Sequence, residues 1–123
     1  MDARELYRAG GDHDSNGRPV EAIELYEQAL AAGLGEPERP RLLLQLGSSL
    51  RNVGRIDEAV ALLEEARRDY PDFRPLRAFL ALALHSAGRT EDALAELLNA
   101  IADEGDYERS LRAYAAGVQA GDG

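Results

Sequence analysis

The chain has 123 residues, 45% of them hydrophobic and 30% charged, with a mean hydropathy of −0.38, which fits one globular domain and argues against a disordered chain. A net charge of −9 argues against nucleic acid and anionic membranes as partners, because phosphate repels an acidic surface. The absence of cysteine removes disulfides, thiolate chemistry and cysteine-based metal sites.

The first residues, Met1-Asp2-Ala3-Arg4-Glu5, lack the basic start and apolar stretch of a secretory signal, so the cytoplasm is the expected compartment. The longest apolar run, Ala78 to Leu84, is far short of the roughly 18 residues that a membrane span needs. All 14 basic residues are arginine. Either genomic base composition explains that, or guanidinium forks serve bidentate contacts.

In chain order, the pattern predicts seven helices, starting with one over 3–15. Its end, Asp12-His13-Asp14-Ser15-Asn16, is very polar and is expected to fray. Gly17 punctuates the turn into a second helix over 19–32. The loop Gly33-Leu34-Gly35-Glu36-Pro37 leads to a third over 38–52. After Gly54 comes a fourth over 56–69, where Ala59, Leu62, Leu63 and Ala66 run i, i+3, i+4, i+7. A fifth helix over 73–86 follows Pro71 and carries Pro75 near its start, where a missing amide does no harm. Gly88 then precedes a sixth over 90–103. The seventh, over 106–118, carries one apolar stripe (Tyr107, Leu111, Tyr114, Val118), as expected of a terminal cap. Residues 119–123 are expected to form a flexible tail.

These helices repeat. Gly54 through Ala66 aligns with Gly88 through Ala100 at a spacing of 34 residues. Gly17 through Ala29 is a third copy, 37 residues upstream of the middle one, so the loop after it holds three extra residues. Gly47, Ala59 and Ala66 are small where two backbones must approach closely, and Ala93 and Ala100 repeat that choice. The middle copy reads Leu43, Leu46-Gly47, Leu50, Ala59, Leu63, Pro71. The third reads Arg77, Leu80-Ala81, Leu84, Ala93, Leu97, with Gly105 where proline is usual. The first, Leu6, Ala9-Gly10, His13, Ala22, Tyr26, is the weakest.

On these positions the chain resembles the tetratricopeptide-repeat family over roughly residues 3–118, and in particular its small stand-alone bacterial members. The resemblance implies an all-α, right-handed α-solenoid of three helix pairs plus a C-terminal capping helix. It implies one domain over 1–118, with repeats near 3–36, 40–73 and 74–107 and a cap helix over 106–118.

Catalytic chemistry is not expected. His13 and His85 fall in units one and three, and no His-Glu-x-x-His motif, phosphate loop or nucleophile elbow is present. Ser86 beside His85 does not form a nucleophile and base, because successive helical residues point about 100° apart. Neither a metal nor a cofactor is expected. Acidic pairs such as Glu64-Glu65 are expected to make a solvated outer face on the second helices, which hold twelve acids including Glu96 and Asp103 against Arg67 and Arg68.

In such a stack the first helices line the concave side. The family register places Arg4 and Tyr7 there in unit one, with Asp14 and Ser15. Unit two contributes Arg41, Leu44, Ser48, Arg51 and Asn52, and unit three Leu82 and His85. Arg109 and Arg112 take the matching row of the cap. This mixture suits a protein or peptide partner of acidic character, although the same arginines could equally pair with neighbouring acids and face water. The family's carboxylate clamp is not expected, because Tyr7, Gly11, Gln45, Pro75 and Phe79 occupy its positions. The leading expectation is thus a scaffold or adaptor that holds a peptide or protein segment in the groove. The runner-up is a homo-oligomer formed through the terminal helix or an exposed face.

Overall fold

A computed structural model describes every residue except Asp103, Glu104, Asp106, Asp122 and Gly123. The described residues form seven helices and no strand: α1 (Ala3–Ser15), α2 (Pro19–Ala31), α3 (Glu38–Asn52), α4 (Ile56–Asp69), α5 (Pro75–Ser86), α6 (Thr90–Ala102) and α7 (Glu108–Gln119). Consecutive helices pack on one another, and α5 also packs on α3, which is the pattern of an all-α helical-repeat solenoid. None of the described helices is long and apolar enough to cross a membrane. The expected end of the sixth helix and start of the seventh, Asp103 and Asp106, lie outside the described residues.

The turns inside the three pairs are built alike. Gly17, Gly54 and Gly88 take φ values of +71°, +86° and +79°, a region open to glycine at no steric cost. The next residue then donates its backbone N–H back into the ending helix: Arg18 to His13, Arg55 to Leu50 and Arg89 to Leu84, each at 2.9 Å. These bonds satisfy carbonyls that the helix end would leave unpaired. The same arginine reaches an acid three residues on in two pairs, Arg55 to Glu58 at 2.6 Å and Arg89 to Asp92 at 2.9 Å.

One core runs through the units, from Leu6 and Tyr26 through Leu42, Leu46 and Leu63 to Leu76, Leu80 and Leu84. Two glycines let helices approach where a side chain would collide. A Cβ on Gly47 would stand 2.5 Å from Leu63 Cδ2, and one on Gly10 would stand 2.6 Å from Tyr26 Cε1. The longer loop after α2 adds to this core, because Leu34 is buried.

Two expectations are corrected. The polar end of α1 does not fray: it remains helical through Ser15, and the Asp14 carboxylate accepts from Tyr26 Oη at 3.0 Å and Ser49 Oγ at 3.2 Å. Unit one is thereby fastened to unit two by a polar clasp on a residue that reads as a surface acid. The outer face of the second helices is also not wholly solvated. Glu96 is buried against α4, where Arg67 meets it.

Candidate functional site

The first-helix surface is organised by α3. Viewed down its axis, Gln45, Ser48 and Asn52 fall on one side, with Leu44 and Arg51 turned toward α5. Gln45 lines an open cavity of about 480 Å³ shared with Tyr7, Gly11, Asp14 and Ser15 of α1 and Tyr26 of α2. Tyr7 and Tyr26 pack there with ring centroids 6.3 Å apart. Burial, and then the adjacent Asp14 charge, push the Tyr26 phenol well above the ordinary tyrosine range, so it stays a donor to Asp14.

Each expected site residue has a definite place. Arg4 is exposed and forms an ion pair with Glu38 at 3.1 Å. Arg41 is exposed, with its guanidinium 5.7 Å from the centre of the Phe73 ring. Leu44 is half-buried against the core, Ser48 is half-buried and Asn52 is exposed. Arg51 is half-buried, and its Nη1 donates to Ser86 Oγ of α5 at 3.5 Å. Tyr7, Arg41, Leu44, Ser48, Arg51 and Asn52 thus lie on α1 and α3 as one neighbourhood.

The remaining residues belong elsewhere. Leu82 and His85 are exposed and line a different, apolar depression between α5 and α6, about 460 Å³ in volume. Arg112 bonds to Glu108 at 3.0 Å and to Asn99 of α6 at 3.3 Å. Helix α7 lies against the side of α6 that carries Asp92, Ala95, Asn99 and Ala102, and among the described residues it has no comparable packing on α5. The matching positions of α4, from Glu58 to Arg68, are exposed outer positions. Arg109 and Arg112 therefore do not continue the row set by Arg41 and Arg51.

Two polar atoms on α3 stand out. Gln45 Oε1 and Arg51 Nε are buried and have no hydrogen-bond partner among the described residues. Once these side chains turn outward, an extended main chain or a polar side chain can complete the acceptor and the donor. The sequence expectation passed over Gln45 as a missing clamp residue. It also set Asp14 on the binding face, where its carboxylate is instead held by Tyr26 and Ser49.

A family model described as the tetratrico peptide repeat matches residues 3–118. No curated protein and no solved structure matches the chain significantly.

Proposed function

Because the chain belongs to the tetratricopeptide-repeat family, a family of protein-interaction modules that are typically not catalytic, we propose that it is a scaffold or adaptor holding an extended segment of another protein across α1 and α3. In this reading residues 1–118 act as one domain and the first helices line its concave side. The observation that carries it is the open pair on α3, Gln45 Oε1 and Arg51 Nε. With both side chains turned outward, a bound segment would give an N–H to the first and a carbonyl or carboxylate to the second. Ser48 lies between them and Asn52 just beyond, and Tyr7 and Leu44 offer apolar flanks.

The partner's charge follows from which guanidinium groups are already engaged. Arg4 has Glu38, whereas Arg41 and Arg51 have only a ring face and a neutral hydroxyl in the contacts described above. Positive charge therefore centres on unit two, while Asp12 and Asp14 make the unit-one end acidic. A segment with one acidic residue aligned to unit two and a polar or basic residue toward unit one fits this division.

The test is an array of short peptides probed with the full chain and with Gln45→Ala, Arg51→Ala and the Arg41→Ala, Arg51→Ala double variant. Peptides held by this surface lose about tenfold or more in affinity with the double variant. Peptide binding that is indifferent to all three would move the site off α3.

A further inference from the structure

We propose that the C-terminal end of the solenoid is a self-association face, through which two copies of this chain join about a two-fold axis. This inference is independent of the peptide reading, because it uses none of the α3 residues.

The repeat itself shows what is left uncovered. In unit two, where α5 lies on α3 and α4, Val60 is 6% exposed and Leu63 is 1% exposed. Their counterparts in unit three are Leu94 and Leu97, which stand 46% and 41% exposed. Nothing among the described residues takes the place of α5 there, because α7 packs along the other side of α6. Leu82 of α5 and Ile101 of α6 extend the open surface. Helix α7 adds to it. Its Arg112 and Gln119 bond to Asn99 and Asp92, so its opposite edge, with Tyr107 and Tyr114, lies toward Leu94 and Ile101.

The occupant follows from three observations. The face spans three helices, wider than a single docked helix would cover. Ile101, Tyr107 and Tyr114 are each more than half exposed, and with the three leucines they offer on the order of 600 Å² of apolar surface. A standard interface needs about 800 Å² per partner, so this core with a polar rim is the right size for a pair. All six side chains are uncharged on a chain of net charge −9, so this is where two copies meet without setting carboxylates against each other. The N-terminal end cannot serve as the mate. Glu5, Asp12 and Asn16 stand where unit three has Leu76, Ala83 and Ala87, and a head-to-tail stack would bury carboxylates on leucines. Joining like face to like closes at two copies.

Sedimentation equilibrium of the full chain from low to high micromolar concentration tests this. The expected result is a monomer–dimer equilibrium with no larger species. Leu94→Glu with Leu97→Glu raises the dissociation constant about a hundredfold, while Val20→Glu, at an exposed apolar residue far from this face, leaves it unchanged. Should the double variant lose its helical circular dichroism, the single thiol of Leu97→Cys is the second probe, because the chain has no other cysteine. Oxidation then cross-links it as a dimer, and Val20→Cys does not cross-link. A wild-type monomer throughout, a dimer indifferent to the Glu substitutions, or open-ended assembly would each overturn the proposal. The first of these would leave the face to another protein.

Discussion

Arg67 of α4 donates through Nη1 to Glu96 Oε2 of α6 at 2.6 Å, and the Glu96 side chain is only 9% exposed. This pair joins the second helices of units two and three from the inside. Its partners are unequal. Glu96 Oε1 is buried without a partner among the described residues, whereas Arg67 keeps a third of its side chain in solvent. Removing Arg67 strands a buried carboxylate. Removing Glu96 leaves an arginine that can turn outward. Arg67→Ala is therefore expected to cost about 2–4 kcal/mol and Glu96→Ala roughly half of that. Urea unfolding of both variants checks the order, and equal losses would mean that the carboxylate is better solvated than its burial implies.

A methyl group on Gly47 has nowhere to go unless Leu63 moves. The added Cβ would meet three atoms of that leucine within 2.9 Å, and the leucine is enclosed on all sides. In an exposed helix the same change would gain about 1 kcal/mol. Here Gly47→Ala is expected to destabilise by about 1–3 kcal/mol. Gly10→Ala is expected to cost at least as much, because the Tyr26 ring cannot fold out of the way as a leucine tip can. Leu63→Val should recover part of the Gly47→Ala loss, and a double-mutant cycle measures the coupling. Strict additivity would show that the two sites do not touch.

Tyr26 gives a pH signature of the unit-one clasp. Its folded-state pKa lies above the unfolded value near 10, because burial and the Asp14 charge oppose ionisation. Below that value both states hold the proton and the stabilisation is fully present. Above it the unfolded chain releases the proton first, so stability falls as pH rises. Each pH unit above 10 is expected to remove on the order of 1 kcal/mol. Tyr26→Phe should flatten that alkaline slope, while lowering stability at neutral pH by about 1–2 kcal/mol through the lost bond to Asp14. Melting temperatures of the two chains across this range decide it, and parallel slopes would discount Tyr26 as their source.

The contrast between what could and could not be read from the chain is physical. The glycine turns, the seven helices and the close approach at Gly47 were legible because each is dictated by local geometry or by a spacing that recurs. The Asp14–Ser49 bond joins residues 35 apart, and Arg67–Glu96 joins residues 29 apart. Nothing in the local pattern separates these acids from Glu64 or Asp12. Asp2 and Glu5 form a reciprocal capping box on α1, a local feature that the sequence carries as Asp-x-x-Glu. The side of α6 taken by α7 could not be foreseen, because the stripe Tyr107, Leu111, Tyr114 and Val118 would suit either side. Alanines at 95 and 102 decide it by offering a flatter seat than Leu94 and Ile101.

That seat also sets the stability of α7. Ala115 is the only residue of the helix that is buried, and it meets a strip of α6 in which Ala95 and Ala102 are the buried residues. Contacts between alanines remove little apolar area from water, and the bonds of Arg112 to Asn99 and of Gln119 to Asp92 lie at the edge, where water competes. By contrast, α3 buries Leu42, Leu43, Leu46 and Leu50. Opening α7 thus forfeits far less than opening the units beneath it, and it can open without them. Amide hydrogen exchange at low concentration, where a monomer prevails, is expected to be at least about a hundredfold faster in α7 than in α3 and α4, a difference of roughly 3 kcal/mol in opening free energy. If Tyr107 and Tyr114 form part of an interface, protection of α7 should rise with protein concentration while that of α3 does not. Uniform protection along the chain at every concentration would instead make α7 an integral part of one cooperative unit.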